Sequence, residues 1–494
     1  MILLRIIGLF AVISLSACVM GPDFKSPDAP KAEHYSDVSL AVEQAAGDNG
    51  QKVVAGKAVS AEWWTMFGSD KLDTLIRRGL DNSLTVSAAK ARLVEVQENL
   101  NSQVGAVLFP KVDANASSTR QKISGTSFGG TSRIYTLHNA SVSASYGLDL
   151  FGASTRYLET LEAQVDYEKY QLQAARMTLA ANIVTAAVQE ASLREQIEAT
   201  EGVIADSRGQ LKMIEQQFEL GAVAQSAVLS QRSALAQVRT ALPALKKQLQ
   251  QNRHLMNVLV GDLPSEASLP EFSLAELQLP HELPLSLPSE LVRQRPDILA
   301  SEALLHQANA NVGLATANLY PRITLTGSFG SESRTMGNLF KTGSTVWDAG
   351  AGLVQPLFHG GELRAKKRGT EAALEQAGAN YRGVVLGAFR DVADTLLALE
   401  MDGQSLKLQQ ESEAASEATM ALVRQQYEAG AASYLELLNA SQQYQQARIG
   451  RAQAEAARFA DSAALIHALG GGWWNADGTD TDMTQNETTT ENRP

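Results

Sequence analysis

The chain has 494 residues, a formal net charge of -12, 6% aromatic side chains and a single cysteine. That acidic balance argues against a nucleic-acid partner, which needs clustered, uncompensated Lys and Arg, and a lone thiol excludes an intrachain disulfide framework. Few aromatics with abundant Ala, Gln and Leu favour long helices over large compact cores.

From the amino terminus, Arg5, the apolar run 6–13 and Leu15-Ser16-Ala17-Cys18 read as an export signal peptide over 1–17. The run is shorter than the stretch of about 20 residues that spans a bilayer as a helix. Leu-Ser-Ala-Cys matches the bacterial lipobox, so Cys18 is expected to carry a covalent lipid. Val19 follows where lipoproteins retained at the inner membrane usually carry aspartate, which favours the outer membrane. No later apolar run is long enough to span as a helix, so any further crossing of a bilayer must use β-strands.

The mature chain is a tandem duplication. Leu108-Phe109-Pro110-Lys111 recurs as Leu319-Tyr320-Pro321-Arg322, and the run Gln216 through Ala222 recurs as Gln425 through Ala431, at offsets of 211 and 209 residues. A third pair, starting at Leu255 and Leu465, keeps the same order. The period is far longer than that of a solenoid. In each half an Ala-rich helix leads to Phe109-Pro110 or Tyr320-Pro321. Alternating segments follow: Ala140, Val142, Ala144, Tyr146 and Leu148 against Asn139, Ser141, Ser143 and Ser145, and later Ile323, Leu325 and Phe329 against Thr324, Thr326 and Ser328. Period two predicts strands, joined by Gly- and Ser-rich turns near 124–132 and 330–344, so each half carries one hairpin.

A very long helix comes next in each half. Leu158, Leu161, Val165, Leu172 and Leu179 keep heptad phase, as do Leu374, Tyr381, Ala388, Val392, Leu399 and Leu406. At 1.5 Å per residue each helix extends about 100 Å. Gly221 and Gly430 then predict tight turns from which antiparallel helices return. Pro243 should break the first returning helix, where the second half has no proline. A proline-punctuated connector over 264–296 separates the halves, and the polar stretch after Trp474 has the composition of a disordered tail.

Strands with one apolar and one polar face survive in lipid only inside a closed barrel, because unpaired amides in hydrocarbon cost several kcal/mol each. Four strands cannot close one, since the smallest membrane barrels have about eight, so several protomers must combine. Long helices attached to such a barrel make a conduit.

At this point the chain resembles the TolC-like outer-membrane factors, in their NodT-type lipoprotein branch. The resemblance rests on this order of elements together with Cys18, Gly21-Pro22-Asp23-Phe24, Trp63-Trp64-x-x-Phe67, Leu72 with Leu75-Ile76, Arg295-Pro296-Asp297 and Leu469-Gly470-Gly471-Gly472-Trp473. It implies an α+β membrane protein. A homotrimer would give four strands per protomer to a twelve-stranded outer-membrane barrel and long α-helices to a periplasmic tunnel, with an equatorial collar. The corresponding division is signal peptide 1–17, lipidated segment and collar 18–70, first repeat 71–261, equatorial connector 262–294, second repeat 295–472 and tail 473–494. Trp63, Trp64 and Phe67 belong to the collar, and Trp347, Tyr135, Tyr146 and Phe358 suit aromatic girdles.

The resemblance also implies partners: a periplasmic adaptor protein docking at the tips Gly221, Ala222, Gly430 and Ala431, and an inner-membrane pump of the proton-driven resistance-nodulation-division type. It implies an aperture near those tips, for which Glu219, Gln425 and Glu428 are the candidates, although the family's aspartate ring has no clear counterpart. The function so implied is a passive exit duct for drugs or other small molecules, with no cofactor beyond the lipid on Cys18. Ducts for type I protein secretion or heavy-metal efflux share the architecture, and a structural coiled-coil lipoprotein shares the heptads but not the hairpins. An enzyme is not expected: the seven histidines lie singly, without metal-ligand spacing, and no phosphate-cradling glycine loop appears.

Overall fold

The structure, a computed structural model, describes residues 19–32, 34–35, 51–124, 131–265 and 269–475. Cys18, the signal peptide 1–17, part of the turn at 124–132 and the tail beyond Asn475 lie outside the described residues. In chain order the elements are β1 (Lys52–Ala55), α1 (Asp70–Asn82), α2 (Leu84–Leu108), β2 (Lys111–Ile123), β3 (Arg133–Leu148), α3 (Ala153–Glu219), α4 (Gln225–Arg239), α5 (Ala241–Leu259), β4 (Glu282–Leu285), α6 (Pro288–Gln294), α7 (Pro296–Ala317), β5 (Arg322–Ser333), β6 (Thr345–Val354), α8 (Glu362–Glu428) and α9 (Tyr434–Ala468). Among the described residues no helix is long and apolar enough to cross a membrane.

The chain forms two compact units that cut across the repeats. The first takes Met1–Pro27, Ala91–Lys169 and Ala300–Arg382; the second takes Asp28–Lys90, Tyr170–Leu299 and Gly383–Pro494. Each unit thus draws on both halves of the duplicated sequence. The reason is helix length, since α3 and α8, of 67 residues each, both start in the first unit and end in the second.

In the first unit the two hairpins form one antiparallel sheet, ordered β2-β3-β5-β6. The hairpins join through β3 and β5, where Val142 stands opposite Phe329 and Leu148 opposite Ile323. Gly330 sits where this junction leaves no room: a Cβ there would lie 2.4 Å from the Ala140 carbonyl oxygen.

The second unit holds the larger buried core. Trp63, Phe67, Leu72 and Ile76 from the N-terminal part pack with Ile183 and Leu193 of α3, Met256 of α5, Leu291 of α6 and Phe459 of α9, all fully buried. The rings of Phe67 and Phe459 lie 6.0 Å apart, and Trp64 donates its indole N–H to Asp73 at 2.8 Å. The Trp-Trp-x-x-Phe cluster is therefore packing, with no exposed face for stacking a ligand. The N-terminal segment and the connector meet as a parallel pair, β1 with β4, from Lys52 opposite Glu282 to Ala55 opposite Leu285.

Heptad positions read from the sequence are where the long helices bury their seams: Leu158, Leu172 and Leu179 on α3, and Tyr381, Ala388, Val392, Leu399 and Leu406 on α8. Pro243 lies in the first turn of α5, just after the chain breaks at Thr240, where its missing N–H costs no helical bond. The second half, without that proline, runs unbroken through α9.

Candidate channel wall and helix tips

The register sorts the sheet into two faces. On one lie Val112 and Ala114 of β2, Val142, Tyr146 and Leu148 of β3, Ile323, Leu325 and Phe329 of β5, and Trp347 and Leu353 of β6. Many are exposed in the protomer: Val142, Phe329, Trp347 and Leu353 keep half or more of their surface. On the other face one row runs Asp113, Ser143, Ser328, Asp348 across all four strands, with Asn115 and Ser141 in the next. Ser328 hydrogen-bonds Asp348 and Asn115 donates to Ser143 at 3.1 Å. β2 and β6 are both open edges. An apolar face in contact with hydrocarbon, a polar face around water and two unpaired edges are what one arc of a multi-chain barrel requires.

The N-terminal strap 19–27 lies against the first unit's helices. Met20 donates its N–H to Phe151 O at 3.2 Å, and the Arg156 side chain reaches Asp23 at 2.7 Å and Met20 O at 3.2 Å. Asn309 donates to Pro22 O, and Phe24 stacks on His306 at 4.4 Å. The Gly-Pro-Asp-Phe motif is this docking sequence. Gly21, at φ +94°, is required by contact, since a Cβ there would lie 2.4 Å from the Gly313 Cα. The strap begins one residue after Cys18, beside the corner between β3 and α3.

The predicted turns at Gly221 and Gly430 are Schellman motifs. Gly221 donates to Phe218 O and Ala222 to Gln217 O; in the second half Gly430 donates to Tyr427 O and Ala431 to Gln426 O. Both glycines are left-handed, with φ of 74° and 76°, which lets the chain reverse without a Cβ penalty. The returning helices begin differently. Ser433 and Glu436 form a capping box on α9, whereas Ala224 offers no cap to α4. The same Schellman pattern ends the other repeat pair, at Gly261 after α5 and Gly470 after α9.

Glu219 and Glu428 are the last residues of α3 and α8, and both are exposed, as is Gln425. A carboxylate at the negative end of a helix dipole is unfavourable by about 0.3–1 kcal/mol. Neither has a hydrogen-bond or ion-pair partner among the described residues, so none of those residues compensates their placement. Leu220, beside Gly221, is 84% exposed.

Sequence reasoning missed the polar contacts in the second unit. Tyr434 donates its hydroxyl to Asp206 O at 3.2 Å, Ser441 bonds the Asp206 carboxylate, and Tyr427 reaches Met213 Sδ at 3.2 Å. Burial, reinforced by Asp206, raises the Tyr434 hydroxyl above the usual tyrosine range. Higher on the same helices Arg451 binds Glu195 of α3, Glu413 of α8 and Glu455 of α9. Burial pushes Glu195 and Glu455 up although Arg451 opposes it. Arg295, buried, bonds Asp297 at 2.7 Å, Asp391 at 3.3 Å and Ala468 O at 3.0 Å, which accounts for the Arg-Pro-Asp motif as a tie between α8 and the end of α9.

The profile of the family described as Outer membrane efflux protein matches residues 75–262 and 287–471 of this chain, one span in each repeat. The chain belongs to that family. This outer membrane efflux protein is 30% identical over 417 residues to the pyoverdine export outer membrane protein OpmQ of Pseudomonas putida, covering 83% of this chain and 88% of the relative. It is 29% identical over 476 residues to the solvent efflux pump outer membrane protein SrpC of Pseudomonas putida, covering 94% and 97%. Its fold superposes on the outer-membrane channel OprN with a TM-score of 0.82 at 26% identity, covering 92% of this chain and all of the other. The efflux protein is thus an outer-membrane channel subunit of the TolC-like fold, a transport component and not a catalyst.

Proposed function

We propose that this chain forms a homotrimeric exit duct for drugs or other small molecules, working with a periplasmic adaptor protein and a proton-driven inner-membrane pump of the resistance-nodulation-division type. The observation that carries the reading is the single sheet with two faces and two open edges. Three copies pairing β6 of one with β2 of the next close a barrel and leave no unpaired edge in lipid. The tips at Gly221, Ala222, Gly430 and Ala431 are exposed reversals on rigid helices and serve as the adaptor contact. Glu219 and Glu428, with Gln425, form the aperture. Each carboxylate recurs three times in the trimer, where mutual repulsion favours bound cations. Cys18, one residue before the docked strap, carries the lipid, and Cys18→Ser should abolish labelling by radioactive palmitate.

The test is single-channel conductance of purified protein in planar lipid bilayers, wild type against Glu219→Ala/Glu428→Ala. Small cation-selective currents that grow or lose selectivity in the double variant support the gated duct. Folded trimers that conduct in neither form refute it and favour a structural lipoprotein.

A further inference from the structure

Between α7 and α8 the first unit holds an open cavity of about 420 Å3, lined by Asn311 of α7, Asn318 in the turn just after it, and Lys366, Gly369 and Thr370 of α8, with Arg322 at its end. Gly369 keeps the space open, because nothing lies within 4 Å of where its Cβ would be. Arg322 is the first residue of β5 and stands opposite Val354. It alternates with Ile323, so it belongs to the polar face that carries Thr324, Ser328 and Asp348. On the exit-duct reading that face lines the channel, and Arg322 lies where α7 and α8 give way to the sheet.

The lining is rich in donors and short of acceptors. Arg322 donates to the Asn318 amide oxygen at 2.6 Å and has no carboxylate partner among the described residues. Lys366 pairs with Glu362 at 2.5 Å, and both side chains are more than half exposed; such a pair is weak and readily exchanged for another anion. Two other arginines of this unit are fully paired by contrast: Arg92 has Glu95 and Glu168, and Arg156 has Asp23 and Glu159. Two amides and a hydroxyl supply the rest of the polar lining, and Leu314, Leu363 and two alanines the apolar part. A guanidinium and an ammonium on the wall of one cavity, with neutral donors around them, match an oxyanion of two or three oxygens.

We propose that this cavity is an anion subsite on the channel wall, taking a carboxylate, phosphate or sulfonate group of the exported molecule as it passes from the helical part into the barrel. The inference rests on the exit-duct reading for its role, though binding itself does not. In a trimer the site occurs three times, and it would hold acidic cargo briefly at the barrel entrance, in a protein whose net charge repels anions.

The experiment is titration calorimetry of detergent-purified trimer with sodium tripolyphosphate, followed by the same anion as a blocker of single-channel current. Wild type should bind up to three per trimer, Arg322→Gln/Lys366→Gln should bind at least about tenfold more weakly, and Arg322→Lys should stay within a few-fold of wild type. Arg382→Gln, which removes an exposed guanidinium bonded among the described residues only to Gly378 O, should change nothing. No binding by wild type, equal binding by the double variant, or equal loss in the Arg382→Gln control overturns the subsite. So does failure of the double variant to assemble on a native gel, which would make the cavity a packing surface between protomers. Binding without conductance would count against the duct and leave the subsite standing.

Discussion

The turn at Gly430 offers a test in which backbone strain is separated from side-chain contact. The residue has φ +76°, and no heavy atom lies within 4 Å of the position its Cβ would take. Any penalty for replacing it therefore comes from the left-handed backbone, about 1–2 kcal/mol for an ordinary L-residue, least for Asn and most for a β-branched side chain. Two hydrogen bonds depend on that conformation, Gly430 N–H to Tyr427 O at 2.9 Å and Ala431 N–H to Gln426 O at 2.8 Å. A loss of that size shifts the closed turn by roughly 5–30-fold. Amide hydrogen exchange over the last turn of α8, on assembled trimer, should accelerate in the order Gly430→Asn, Gly430→Ala, Gly430→Val, with the valine variant about 5–30-fold above wild type. Drug resistance should fall in the same order while trimer yield stays level. If Asn protects no better than Val, a contact and not the backbone governs the position. If the yield of trimer falls instead, the glycine is not at a tip.

Three further outcomes are expected. Asp461, pushed up to about 7 by burial and then by Asp402, holds its proton more tightly folded than unfolded. Its contribution to stability is therefore complete near pH 4 and lost as pH rises through 7. The trimer's melting temperature should decline across that window from this source, and Asp461→Asn should flatten the decline; an unchanged slope refutes the assignment. Phe67→Ala removes a fully buried ring and should cost about 3–5 kcal/mol, seen as a large drop in melting temperature, whereas a drop no greater than that of a surface variant would contradict the packing. Ser433→Ala removes half of the α9 capping box and should cost about 1 kcal/mol, detected as faster exchange in the first turn of α9 and absent if Glu436 alone holds the cap.

The sequence by itself determined the elements, because each is encoded within a few residues. Alternation along 139–148 places Val142 and Tyr146 opposite Asn139 and Ser143 whatever lies beyond the strand. Heptad spacing on 374–406 marks the seam that α8 buries, and glycine after a long helix marks a reversal that only a residue free of Cβ adopts cheaply. Duplication was legible for the same reason, as repeated local text. The tertiary structure alone decided who meets whom. That α3, α8 and α9 share Arg451, that Asp23 is held by Arg156, that Asp402 and Asp461 confront each other and that Arg322 and Lys366 line one cavity are juxtapositions of residues distant in sequence. No local periodicity specifies them, since a charged residue on a helix face looks the same in text whether water or another helix covers it. The compact units likewise ignore the repeats, because helices of 67 residues run out of one unit and into the next, so a boundary plain in the sequence is not a boundary of packing.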